Sequence, residues 1–162
     1  MRNTEHEILF KLGYDHGKQI AQSNVEKVFA LYTRDEKGIT WIGNQDYAVL
    51  KLQNPLGNTY GWFTVVPRSA DYVGIDVSLA GYSLDVESGE TISVDQRCHL
   101  KGFRGDKVIH DCNMTPGASG SPIYQVVSEN EAILVALNAS QRVGMGEIIE
   151  DDFLEVEKYN ES

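Results

Sequence analysis

Apolar residues in this chain fall in short runs rich in branched and aromatic side chains, each bounded by Gly, Pro, Asn or Asp. The runs are Glu7–Leu12, Val25–Tyr32, Tyr47–Leu52, Tyr60–Val66, Val73–Leu79, Thr91–Val94, Arg97–Phe103, Lys107–His110, Pro122–Val127 and Ala132–Leu137. In Ile75-Asp-Val-Ser-Leu79 the apolar positions alternate, so residues 75, 77 and 79 share one face of an extended chain. Strands of this length at near-regular spacing predict an all-β sandwich or barrel. Only the tail, around Asp151–Tyr159, reads as a helix. Its acidic start suits the positive end of a helix dipole, and Phe153, Leu154 and Val156 supply an apolar stripe. No internal repeat, low-complexity tract or linker breaks the pattern, which predicts one domain.

A length of 162 residues is enough to bury a proper core. A formal charge of −10 excludes nucleic acid as an expected partner, because affinity for phosphates comes from clustered Lys and Arg. That charge favours basic peptides or cationic surfaces only weakly. No run approaches the roughly 18 apolar residues needed to span a bilayer, so no membrane role is expected. The first residues, Met1-Arg-Asn-Thr-Glu-His-Glu7, lack the apolar stretch of a secretion signal, and taken literally this places the chain in the cytoplasm.

The two cysteines, Cys98 and Cys112, leave two readings open. One is a pair of unrelated reduced thiols. The other is a bridge closing a loop of about 15 residues, which would stabilise the fold by roughly 3 kcal/mol. Two cysteines with no neighbouring ligand cluster cannot complete a tetrahedral zinc shell, so no metal is expected, and no cofactor motif is present.

The segment Asp111-Cys-Asn-Met-Thr-Pro-Gly-Ala-Ser-Gly-Ser-Pro122 carries the candidate chemistry. A serine hydroxyl is a poor nucleophile until a base takes its proton. The oxyanion formed on attack needs donors aimed at it, and a tight turn can point backbone N–H groups there. Glycines on either side of Ser119 permit the required dihedrals and a close approach of substrate. A bare Gly-x-Ser-Gly is equally what surface turns are made of. The Gly-x-Ser-x-Gly elbow of α/β-hydrolases does not fit, because Ser121 occupies its last position and no β-α alternation surrounds it.

The longer stretch Thr115-Pro-Gly-Ala-Ser-Gly-Ser-Pro-Ile-Tyr124 resembles the nucleophile segment of bacterial trypsin-like serine proteases of the glutamyl-endopeptidase-like group, and the similarity runs over most of the chain from about Ile8. Gln45-Asp-Tyr-Ala-Val-Leu-Lys-Leu-Gln-Asn-Pro-Leu-Gly57 is similar to the segment carrying the family's catalytic aspartate. The resemblance implies a trypsin-like double β-barrel with a short C-terminal helix. Residues 1 to about 70 would be the remainder of an incomplete first barrel, and about 71 to 162 the second barrel. It implies Ser119 as nucleophile, Asp46 as the carboxylate that orients the base, and an oxyanion hole from the N–H groups of Gly117 and Ser119. The substrate pocket would be lined by Asn113, Leu137, Asn138 and Ala139. Gly13-Tyr-Asp-His-Gly-Lys-Gln-Ile20 is similar to a strand-and-turn segment, Leu79-Ala-Gly-Tyr82 to a strand opening the second barrel, and Cys98 with Cys112 to a pair that some members bridge. The implied activity is a serine endopeptidase acting on peptide or protein substrates, secreted or periplasmic.

The family's histidine segment, of the form Thr-Ala-Ala-His-Cys, has no match here. His6 lies in a polar start, His99 beside Cys98, and His110 on the strand leading into the nucleophile loop. His16 precedes Asp46 in the order a triad requires, but its Tyr-Asp-His-Gly context matches a turn. The resemblance therefore implies that the chain is the C-terminal part of a longer protease whose missing part holds the histidine. The alternative is a degenerate relative that binds peptides without cutting them. Ala118 replaces the aspartate that pairs with a new N-terminus in trypsin-type enzymes, so activation by that ion pair is not expected. Leu137 stands near the position of the carboxylate-binding histidine of glutamyl endopeptidases, so strict preference for acidic residues is not implied.

Overall fold

The computed structural model describes residues 8–30, 32–35, 38–41, 47–105, 107–113, 115–140 and 149–152. They form two compact units, residues 1–62 and 63–162. Among the described residues the structure is almost wholly β.

In the first unit, β1 (Leu9–Leu12), β2 (Ala21–Ala30) and β5 (Ala48–Leu52) make an antiparallel sheet with β2 at its centre. β3 (Tyr32–Asp35) and β4 (Gly38–Trp41) form a separate hairpin. β2 begins at Ala21, before the apolar run at Val25, because Ala21-Gln-Ser-Asn24 completes the main-chain ladder with β1. Ser23 is the one buried residue among those described here, while Ile8, Leu9, Phe10, Val28, Phe29, Val49 and Leu50 stay exposed.

The expected strand Tyr60–Val66 is shorter than its pattern. Gly57–Tyr60 forms one helical turn, α1, ended by Gly61 at φ 87°, a left-handed conformation that glycine adopts without strain. Only β6 (Thr64–Val65) is extended.

The second unit is a ring of strands. β7 (Asp76–Gly81) pairs with β8 (Ser93–Arg104), β8 with β9 (Lys107–His110), and β9 with β12 (Ile149–Asp152). β12 pairs with β11 (Glu131–Ser140), β11 with β10 (Pro122–Ser128), and β10 returns to β7 through Ile123↔Leu79 and Tyr124↔Ser78. β6 joins β11 in parallel. Among the described residues closure leaves no free edge around the ring, which removes the main liability of an open sheet.

The core of the ring is Val77, Leu79, Leu100, Val108, Ile123 and Val135, with the disulfide Cys98–Cys112 packed among them. Ile75 packs against this cluster from a partly buried position, so the alternation of residues 75, 77 and 79 is realised. Each such side chain removed from water contributes about 1.5–3 kcal/mol.

Two expected strands, Thr91–Val94 and Arg97–Phe103, are one continuous β8. Polar Asp95-Gln96 hid the join, and a bulge sits at it: Val77 faces Cys98 and Ser78 faces Gln96, leaving Arg97 unpaired at φ 65°. A second bulge leaves Lys101 between the Leu100↔His110 and Gly102↔Ile109 pairs. Bulges sharpen the twist a ring needs.

The expected helix start at Asp151 is corrected. Asp151 faces Val108 and Asp152 faces Lys107 in β12, because the open edges of β9 and β11 offer a ladder that outweighs a local helix signal. The rest of that expected helix, 153–159, lies outside the described residues.

The disulfide ties β8 to the segment after β9. Urea unfolding of a Cys98→Ala/Cys112→Ala variant should show stability lowered by about 3 kcal/mol against the oxidised protein, with the slope on denaturant rising as the unfolded chain expands.

Candidate active site

The loop that carries Ser119 is stitched to β8 before it begins. Asp111 leaves the end of β9 and its Oδ1 accepts the His99 N–H at 2.5 Å, while its Oδ2 lies 2.6 Å from Lys101 Nζ. Cys112 follows, bonded to Cys98, and its N–H donates to His110 Nδ1 at 3.1 Å. Asn113 N–H then donates to Asp95 Oδ2 at 2.5 Å, and the Thr115 hydroxyl donates to Asp85. Desolvation alone would raise the Asp111 pKa. The Lys101 ammonium, the His99 N–H and the nearby positive charges outweigh it and hold the carboxyl below its ordinary value of 3.8.

The turn itself is built from two glycines with positive φ and a set of bonds to its carbonyls and N–H groups. Gly117 lies at φ 102°, and a Cβ there would stand 2.7 Å from the Tyr82 carbonyl oxygen, so only glycine fits. The Pro116 carbonyl accepts the Leu84 N–H at 2.9 Å. The Ala118 carbonyl accepts two donors, the Ser121 N–H at 3.1 Å and the Asn138 side-chain amide at 3.0 Å. Asn138 also grips the turn through its main chain, its carbonyl accepting from Gly120 N–H at 2.6 Å and its N–H donating to Ser121 at 2.9 Å. Gly120, at φ 84°, takes the chain out of the turn and into β10.

Ser119 is exposed at the top of this turn. Ala118 and Ser121 spend their N–H groups on the carbonyls of Thr115 and Ala118 within the loop, and Gly120 spends its own on the Asn138 carbonyl of β11. The N–H groups of Gly117 and Ser119, and the Ser119 hydroxyl, have no hydrogen-bond partner among the described residues. Two unspent donors beside an exposed hydroxyl are what an oxyanion site requires in chemical terms.

The other expected site residues fall as follows. Asp46 and His6 lie outside the described residues. Asn113 is exposed. Leu137 pairs with Pro122, one step beyond the turn, whereas Asn138 is buried against it. Ala139 continues β11, partly buried.

Of the histidines, His16 is exposed on the tight turn between Asp15 and Lys18, its Nδ1 2.9 Å from Asp15 Oδ1. His99 spans Asp76 at 3.0 Å and Asp111 at 3.5 Å. His110 is fully buried in the ring and receives the Cys112 N–H. The sequence reading missed the braces from Tyr82, Leu84 and Asp85, which follow β7. Two of them act through the main chain, which leaves no mark on side-chain pattern.

No protein-family model matches the chain. Over 112 residues, 67% of the chain, it is 28% identical to a protein of Bacillus subtilis (strain 168) called extracellular metalloprotease. The match spans 35% of that protein, about a third of its length. Three solved structures superpose on 91% of the chain. They are the protease Anisep from Arthrobacter nicotinovorans, with TM-score 0.61, 19% identity and 69% of that chain covered; the thermostable serine protease AL20 from an extremophilic microorganism, with 0.65, 15% and 69%; and Glu endopeptidase in complex with MPD, with 0.66, 16% and 66%.

The fold is therefore that of the trypsin-like serine proteases. Among the described residues no group of three or more His, Cys, Asp or Glu is placed to hold a metal ion.

Two outcomes follow from this geometry. Gly117→Ala forces a side chain against the Tyr82 carbonyl from a left-handed backbone, and thermal or urea unfolding should show a loss of about 1–3 kcal/mol. Asp111 has a lowered folded pKa, so its contribution to stability is complete above the ordinary value of 3.8 and is lost as pH falls through the lower folded value. Acid titration of Lys101→Met, followed by near-ultraviolet circular dichroism, should place the onset of unfolding at higher pH than in the parent protein.

Proposed function

We propose that the chain is the nucleophile-bearing part of a secreted serine endopeptidase acting on peptide or protein substrates. The observation that carries this is the pair of N–H groups, Gly117 and Ser119, that have no partner among the described residues and stand beside an exposed Ser119 hydroxyl, while the N–H groups of Ala118, Gly120 and Ser121 are engaged. In the proposed reaction Ser119 Oγ attacks the scissile carbonyl while a histidine takes its proton, and the carbonyl oxygen becomes an oxyanion held by those two N–H groups. The histidine returns the proton to the leaving amine, and water then releases the acyl group by the same route. Asp46 receives the second histidine N–H and fixes its tautomer. Asn113 and the stretch from Leu137 to Ala139 line the pocket for the residue before the cut. No histidine stands in that stretch, so an acidic residue is not specially favoured there.

The base itself is assigned to polypeptide outside the described residues. Of the histidines described, His99 and His110 are engaged within the ring and His16 sits on an exposed turn, while His6 lies outside the described residues. The disulfide supports an oxidising compartment, in keeping with the Bacillus subtilis relative being called extracellular.

A fluorophosphonate probe tests the reading on two samples: the chain as it stands, and the chain extended by the in-frame sequence encoded upstream of Met1. The extended chain should label at Ser119, its Ser119→Ala variant should not, and the shorter chain should label about 10²–10⁴-fold more slowly. Absence of labelling in both, with peptide binding but no cleavage, would replace the endopeptidase with a binding module.

A further inference from the structure

We propose that Asn138 is a positioning residue for the oxyanion site, acting through the Ala118 carbonyl on the direction of the Ser119 N–H; the inference rests on Ser119 being the nucleophile. The reason is the planarity of the peptide bond. In a trans peptide the carbonyl of one residue and the N–H of the next point in opposite directions, and the bond between them resists rotation. No cis peptide occurs among the described residues. Whatever holds the Ala118 carbonyl therefore aims the Ser119 N–H.

Asn138 is the residue that holds it from outside the turn. Its side chain is buried, and the group facing the Ala118 oxygen at 3.0 Å must be the amide NH2, because a carbonyl can only accept. The consequence is visible at the other end of the side chain, where Oδ1 is buried with no partner among the described residues. Burying an acceptor unsatisfied is unfavourable, a cost set against the bond that the amide donates to the Ala118 carbonyl.

The main chain of Asn138 is already fixed by Gly120 and Ser121 at 2.6 and 2.9 Å, which sets where the side-chain amide starts. The remaining bond to the Ala118 carbonyl, from Ser121 N–H at 3.1 Å, lies within the turn and turns with it. Among the described residues Asn138 alone ties this peptide plane to β11. The other oxyanion donor has its own external tie, since the Pro116 carbonyl is held by the Leu84 N–H and so aims the Gly117 N–H.

The test uses the labelling-competent extended chain and two variants. Asn138→Ala removes the side-chain donor and leaves the main-chain bonds. Asn138→Asp keeps the shape and turns the donor into an acceptor facing a carbonyl. Steady-state peptide cleavage should show kcat lowered by roughly 10–100-fold, a larger effect than any on KM, as an interaction that strengthens in the transition state requires. Loss confined to KM, or unchanged kcat in both variants, overturns the proposal.

A second readout does not depend on activity. In the 15N–1H spectrum of the chain, the Ser119 amide resonance should move in both variants while that of Ile123 in β10 stays in place. An unmoved Ser119 amide overturns the proposal even if no sample labels. Failure of labelling in the parent protein, with a moved Ser119 amide in the variants, counts against the nucleophile reading and leaves the positioning role standing.

Discussion

The double pairing of β10 is the constraint on which the second unit rests. Ile123 and Tyr124 bond to β7 on one side, and Pro122 to Ser128 bond to β11 on the other, so this strand closes the ring. Closure buries Ile123, Leu79 and Val135 together. It also fixes the turn that precedes β10. Residues 117–121 have nowhere to go except over the end of β11, where Asn138 meets them with its main chain and its side chain. The candidate chemistry is thus an extension of the barrel ladder rather than a loop added to it.

Seen from the turn, the same economy applies to hydrogen bonds. A tight turn has few donors, and most are needed to hold its shape. Here the carbonyls of Pro116 and Ala118 are held by donors from elsewhere in the unit, and the Gly117 and Ser119 N–H groups have no partner among the described residues. Gly117 is obligatory because the Tyr82 carbonyl lies where its Cβ would be. Upstream, the disulfide and the contacts of Asp111, Asn113 and Thr115 with β8 and Asp85 limit the motion of the loop before it turns. Preorganisation of this kind is what lets fixed dipoles stabilise developing charge.

Much of this was legible in the sequence, unevenly and for physical reasons. Lys107–His110 is the strand its apolar run predicts, and the alternation through Val77 and Leu79 gives the buried face correctly. The trypsin-like all-β fold was legible from the segment around Ser119. Pattern failed where main-chain pairing outranks side-chain character: polar Ala21–Asn24 joins a strand, β8 runs through Asp95-Gln96 by means of a bulge, and acidic Asp151-Asp152 completes the ring instead of starting a helix. It failed also where the partner is a backbone atom, as with Tyr82 and Leu84. Asn138 was expected to line a substrate pocket, by resemblance alone, and the use of its side chain on the Ala118 carbonyl depends on a β11–turn register that periodicity does not encode. Asp46 lies outside the described residues, so its role rests on resemblance.

The central claim is that this turn is an oxyanion site with Ser119 as its nucleophile. A crystal structure of the fluorophosphonate-treated extended chain tests it most directly. The account predicts a phosphonyl group on Ser119 Oγ, with one phosphoryl oxygen about 2.7–3.1 Å from both the Gly117 and the Ser119 nitrogen. A phosphonyl group on another residue, or one on Ser119 whose oxygens point away from both nitrogens, would contradict it.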